Sequence, residues 1–238
     1  MKIIADTHTH TIASTHAYST ILENAKFASE NGIEYLAMTD HAPSMWDAPH
    51  IWHFGNMNVI PDYLYGVRIL RGVEVNILPQ GKLDLTNDDL SRLEWVVASI
   101  HSPVYPETSI EENTNAYITA AKNPHVDVIG HSGSIGFMYD YEKAIKAFGE
   151  YNKLVEINHH TFEARADGVK NCVEIAKLCK KYNVRVVANS DAHFAYAIGK
   201  VDNALNILHE IEFPKELIIN SERDLFEAYL AERKTRIR

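Results

Sequence analysis

The sequence predicts a single-domain α/β fold in which parallel strands and helices alternate into a closed or nearly closed barrel. Three observations carry that expectation. Seven short apolar runs recur along the 238 residues, each followed by polar or histidine-bearing sequence. Between most of them lie stretches with helical periodicity, and repeated strand–helix alternation implies parallel βαβ units with right-handed crossovers. No composition break or Pro/Gly/Ser-rich linker divides the chain, and its length suits one large α/β domain.

The runs are Lys2–Asp6, Glu34–Thr39, Val67–Val75, Leu93–Ile100, Val126–Gly130, Leu154–Asn158 and Val184–Ser190. Their β-branched enrichment and near-continuous hydrophobicity fit strands covered on both faces. The first helix is predicted from a cap at Ser19 or Thr20 to Asn31-Gly32, with Leu22, Ala25, Phe27 and Ala28 along one side. Further helices are expected over Ile110–Lys122, Tyr141–Tyr151 and Val169–Tyr182, then Lys200–Ile211 and Ser221–Leu230 after the last strand. His41–Met57 reads as a long loop with no clear helix. It holds Trp46 and Trp52, and a loop of this length with aromatic content points to function rather than disorder.

Composition narrows the partners. The chain carries 23 basic and 32 acidic residues, a formal net charge of −9. A net negative chain lacks the basic face that nucleic acids or anionic membranes require. No window approaches the roughly 20 apolar residues of a membrane span, and no signal-like segment opens the chain. The expectation is a cytoplasmic protein, with a homo-oligomer compatible with its composition. Cys172 and Cys179 lie seven apart on a helical stretch, too far separated to bridge, and read as buried thiols. Histidine is the anomaly. At 13 residues it outnumbers tyrosine, glycine and phenylalanine.

The histidines fall where a barrel enzyme does its chemistry, at the C-terminal ends of the strands. The first run leads into Asp6-Thr7-His8-Thr9-His10, the second into Asp40-His41, and the third ends at Glu74. His101, His131, Glu156 and Asp191-Ala192-His193 close the remaining runs. In extended backbone His8 and His10 share a face, as do Asp191 and His193. Mixed imidazole and carboxylate donors suit zinc, manganese, iron or related divalent ions, not an oxygen-only calcium site. Asp40 is placed to orient His41 or a neighbour. Arg71 lies on the opposite strand face from Glu74 and reads as structural. His125 and His209 read as ordinary helix or surface histidines, while His159 and His160 follow the sixth run without a spacing that fixes a role.

The set D-T-H-T-H, His16, T-D-H, R-G-V-E, I-H-S-P, G-H-S-G and N-S-D-A-H resembles the PHP (polymerase and histidinol phosphatase) family. Thr11–Tyr18 and the Asp47–Phe54 loop are most similar to its small stand-alone bacterial phosphatases. The resemblance spans essentially the whole chain and implies a distorted (β/α)7 barrel, like a TIM barrel, holding three divalent ions. His8, His10, Asp191 and Glu74 would bind one ion, with zinc expected and manganese, iron or cobalt as alternatives. Glu74 would bridge to a second ion with His101 and His131, and His16, His41 and His193 would hold the third. The implied reaction is hydrolysis of a small phosphomonoester by a metal-bound hydroxide, with Glu74, Asp191 and His193 as catalytic residues. Histidinol phosphate is a candidate substrate from the family name alone. Arg165, His50 and His53 are the expected substrate-binding residues, with Trp46 or Trp52 excluding water. A PHP-type nuclease and an amidohydrolase-like metallohydrolase are the competing readings. The first lacks a basic surface here, and the second ordinarily uses a strand-end lysine or glutamate and a single aspartate after the last strand.

Overall fold

A computed structural model describes residues 1–237, and every apolar run but the first becomes strand where expected. The strands are β1 (Ala5–Thr9), β2 (Tyr35–Met38), β3 (Tyr63–Leu64), β4 (Val67–Asn76), β5 (Trp95–Ser99), β6 (Val128–Ile129), β7 (Leu154–Asn158) and β8 (Val186–Asn189). Seven of them pair in parallel in the order β1-β2-β4-β5-β6-β7-β8, with β3 added antiparallel to β4. Between β1 and β8 the closure is made by a bridge between Thr9 and Ala192 and by Thr7, whose amide and hydroxyl both donate to Oδ1 of Asn189. The result is a nearly closed, distorted TIM-like barrel.

The helices are α1 (Ile21–Glu30), α2 (Trp52–Gly55), α3 (Asn87–Ser91), α4 (Ile110–Lys122), α5 (Tyr141–Glu150), α6 (Thr161–Ala164), α7 (Val169–Tyr182), α8 (Asp202–Glu210) and α9 (Arg223–Arg236). Thr20 caps α1 in a capping box with Glu23, and Ser109 caps α4 in the same way with Glu112. Two expectations need correction. The loop after β2 is not wholly irregular, because α2 makes one helical turn in it. The last helix also starts later and runs further than Ser221–Leu230. Cys172 and Cys179 are buried and unbridged on α7, as expected. No helix among the described residues is long and apolar enough to cross a membrane.

The first strand departs most from its apolar run, starting three residues later and continuing through Thr9. Polar residues are tolerated there because distant partners satisfy them: Thr7 bonds Asn189 and Thr9 Oγ1 donates to the carbonyl of Ala37. Pairing with β2 slips between Asp6 and Thr9, which leaves one extra residue on β1. Such a bulge switches which side chains face a surface. Ala5 belongs to the interior cluster, and beyond the bulge His8 and His10 face the barrel's interior at its open end.

Inside the barrel, Ala37, Leu70, Trp95, Val97, Leu154 and Val187 pack together. Phe226 and Tyr229 of α9 join them from the N-terminal end. Removing such a buried aromatic costs about 3–5 kcal/mol. Below Trp95, Asp127 is held by Arg233 and Arg236, so α9 is clamped by ion pairs as well as by its aromatics. With that end plugged, the strand-end layer at the other end is left for chemistry. Two residues before Glu74, a Cβ on Gly72 would lie 2.7 Å from the carbonyl of Trp95 and 2.9 Å from that of Met38. Only glycine lets the neighbouring strands approach this closely there.

Candidate metal centre

Glu74 is fully buried, and its carboxylate is the hub of the strand-end layer. Its Oε2 lies 2.8 Å from Nδ1 of His41, 3.3 Å from Nε2 of His8 and 3.6 Å from Nε2 of His10. Its Oε1 lies 2.9 Å from Nε2 of His131 and 3.2 Å from Nε2 of His101. One carboxylate therefore faces two separate groups of imidazoles. Asp191 closes the first group, with Oδ1 at 3.2 Å from His10 and 3.6 Å from His8. His16 and His193 stack at a ring separation of 4.4 Å above His41, completing a third group nearer the solvent. All nine residues expected from the sequence are thus brought together.

The donor groups overlap more than the expected partition. His8, His10 and Asp191 offer atoms within 4.8 Å of one another, and so do His10, His41 and His193. His41, Glu74 and His101 form another such set, as do His16, His41 and Asp47. His10 and His41 are therefore shared between neighbouring groups, and Asp47 joins the outer one.

The imidazoles are fixed from behind. Nδ1 of His8 donates to Glu156 Oε1 at 2.7 Å, Nδ1 of His101 to Asn76 Oδ1 at 2.8 Å, and Nδ1 of His193 to the carbonyl of Asp191 at 2.9 Å. His16 is held by Asp47 through the same nitrogen. A ring that donates from Nδ1 to an oxygen acceptor presents a bare Nε2, as a metal ligand must. In His8, His101 and His193 that Nε2 is buried and finds no hydrogen-bond partner, and Oε2 of Glu74 is equally unsatisfied. Burial without a partner is costly. The donor set and its orphaned atoms therefore fit divalent cations.

Electrostatics follow from the crowding. Burial alone would raise Glu74, yet His8, His101 and His41 hold its carboxyl well below the usual range. Asp191 is held low in the same way, chiefly by His8 and His10. Burial opposes protonation of His8, but Glu156, Glu74 and Asp191 outweigh it and raise that ring. His10, buried beside His41 and His193, is pushed down to about 3. Asp191 is also in the left-handed backbone region, at φ 57°, a strained conformation for a non-glycine residue. That conformation accompanies the turn in which its own carbonyl accepts from His193.

A cleft of about 590 Å³ opens over this layer. Arg165, from the loop after α6, lines it, with Nη1 buried, unpartnered and 3.9 Å from Oδ2 of Asp191. His160 lines it too, 5.8 Å from the His193 ring. The tryptophan loop is placed differently from expectation. His50 is exposed and packs edge-on against Trp52, while Nε2 of His53 points to Asp40 at 3.5 Å. Neither histidine lines the cleft, and Trp46 and Trp52 are 86% and 79% exposed. The reason is local: the α2 turn packs Phe54 into the core and turns Trp52 to solvent, and Met45 is the residue after His41 by which this loop reaches the cleft. Asp40 accepts from Thr11 and from Ser14, whose hydroxyl in turn receives the amide of His41. It therefore braces the turn carrying His16 and the backbone of His41. Arg71 pairs with Asp62 and Glu94 and is structural, as read from the sequence.

Sequence reasoning missed Asp47 and Asn76 as partners and gave Glu156 no role. Glu156 had the strand-end signal. The other two are recognisable only by whom they touch.

A parallel barrel with imidazoles and carboxylates converging at its strand ends defines a class of metal-site proteins. Within that class, the profile of the PHP domain matches residues 6–231, and the chain belongs to that family. A protein of Acetivibrio thermocellus named a probable phosphatase is 48% identical over 239 residues, covering 100% of this chain and 99% of that one. Another so named, from Clostridium novyi, is 47% identical across 97% of this chain and 95% of its own. Among solved structures, the histidinol phosphate phosphatase of Lactococcus lactis, complexed with zinc, L-histidinol and phosphate, matches the fold. It does so at a TM-score of 0.63 and 16% identity, covering 88% of this chain and 94% of that one.

Proposed function

We propose that this protein is a metal-dependent phosphatase that hydrolyses small phosphomonoesters with three divalent ions. His8, His10, Asp191 and Glu74 would hold the first, Glu74, His101 and His131 the second, and His16, His41 and His193 the third. The observation that carries the reading is the Glu74 carboxylate, which turns one oxygen to each of two imidazole groups. Zinc suits these donors, as in the Lactococcus structure, and manganese, iron or cobalt suit them too.

Bound ions would supply an acidified water near neutral pH and compensate charge on the phosphate. The chain's own residues supply the rest. Asp191 and Glu74, kept ionised, anchor the cationic floor. His193, oriented by the Asp191 carbonyl, presents Nε2 to the cleft edge. Arg165 offers an unpaired guanidinium nitrogen to a phosphate oxygen, a charge-assisted contact suited to anion binding. In the net reaction the ester P–O bond breaks, the water oxygen stays on phosphorus and the alcohol leaves with a proton. A locally cationic floor explains how a chain of charge −9 takes an anionic substrate.

Chelator-treated protein should lose hydrolysis of a phosphomonoester panel and regain it with added zinc or manganese. Preferential cleavage of phosphodiesters or DNA ends would contradict the proposal.

A further inference from the structure

The cleft is divided chemically in a way that follows the strand order. Met45 comes from the loop after β2, Ile100 and Pro103 from the end of β5, and Phe137 from the loop after β6. These strands form one arc with β4, which carries Glu74, and the arc's wall above the donor layer includes these four apolar side chains. The opposite arc, β7 and β8, contributes Arg165, His160 and His193. Phe137 is already packed, edge-on to Tyr105 with the ring centres 5.8 Å apart, so a ligand would meet a preformed surface. Among the described residues lining the cleft, Arg165 is the one lysine or arginine. The lining carboxylates are Glu74 and Asp191, both engaged by imidazoles.

We infer that the wall of Met45, Ile100, Pro103 and Phe137 is the leaving-group subsite, and that it selects phosphomonoesters of apolar or aromatic alcohols carrying no second charge. This deepens the phosphatase reading and rests on it. With the phosphate drawn to Arg165 and the donor layer, the alcohol is directed across the cleft onto the apolar arc. Apolar substituents gain there by leaving water. A second phosphate finds no further arginine or lysine, and an ammonium finds no free carboxylate. Against this arc either group would meet carbon and the neutral hydroxyls of Ser102 and Ser134, with no countercharge. By the same chemistry histidinol phosphate, which bears an amine, is a disfavoured substrate.

The test compares metal-loaded protein on 2-phenylethyl phosphate, ethyl phosphate, propyl phosphate and O-phosphoethanolamine. The matching phosphonates are titrated in parallel by calorimetry. At least a tenfold preference in kcat/KM is expected for phenylethyl over ethyl, about 1.4 kcal/mol, and for propyl over phosphoethanolamine. In Phe137→Ala the phenylethyl-to-ethyl ratio should fall toward unity, and in Met45→Ala, on an exposed-edge loop, it should fall in part. Equal rates on all four esters would overturn the subsite and leave the phosphatase reading standing. A ratio unchanged in both variants would overturn it as well. Discriminating phosphonate binding without hydrolysis of any ester would support the subsite and count against the phosphatase reading.

Discussion

Glu156 grips His8 from the side away from Glu74. The His8 Nδ1 donates to Glu156 Oε1 at 2.7 Å, while Nε2 of the same ring lies 3.3 Å from Glu74 Oε2. The other Glu156 oxygen accepts the backbone amide of His131 at 2.7 Å, and Asn189 and Asn158 hold the carboxylate in place. A single buried acid therefore sets the orientation of one donor imidazole and the backbone of another. Such outer partners typically affect metal affinity by about 10–100-fold. Glu156→Gln keeps the shape but loses the charge that fixes the His8 tautomer. Its zinc affinity, read by chelator competition, should drop within that range, and parental affinity would show that Glu156 is only a packing residue.

Arg165 is the counterpart on the substrate side. Its Nη1 has no protein hydrogen-bond partner, and the side chain is set near Asp191 without closing a tight ion pair. Arg165→Ala should leave metal content per chain at the parental level and lower kcat/KM for phosphomonoesters by about tenfold or more. Parental kinetics would remove Arg165 from phosphate binding.

A third expectation lies at the opposite end of the barrel. Lys153 is buried and donates to the carbonyls of Asn123 and Val126. Burial, with Arg236 and Arg233 nearby and Asp127 only partly offsetting them, pushes its ammonium down to about 7. Between that value and the ordinary 10.5 the unfolded chain binds more protons than the folded one. Unfolding free energy contributed by Lys153 therefore rises with pH across this window and is lowest below pH 7. Urea unfolding of metal-loaded parent and Lys153→Met at pH 7 and pH 9 should show a smaller gain with pH in the variant. Equal gains would contradict the assignment.

Much of this was legible from local pattern. Val67–Val75 and Leu154–Asn158 read as strands because both faces are covered, and their run lengths match β4 and β7 closely. Eight of the nine donor residues were found because they fall at the ends of the apolar runs, whereas His16, in the loop after β1, came only with the resemblance to the PHP family. What escaped depends on distant partners or weak signals. The first strand was misplaced because Thr7 and Thr9 look like loop residues until Asn189 and Ala37 satisfy them. The short α3 carries a capping box, Thr86 with Asp89, that the apolar reading passed over. The β3–β4 hairpin turns through Tyr65 and Gly66, both at positive φ, and lacks the usual Asn-Gly signal. The tryptophan loop drew attention by its aromatics. Nothing in its spacing distinguished His50, turned to solvent, from Met45, turned to the cleft.

The central claim is that Glu74 joins two metal sites, and metal content per chain tests it most directly. Plasma mass spectrometry of purified parent and Glu74→Ala, both loaded with excess zinc and desalted, should give three ions per chain in the parent. The variant should hold at most one, retained at the outer group of His16, His41 and His193. Equal occupancy in the two proteins would contradict the bridging role of Glu74 and the metal centre built on it.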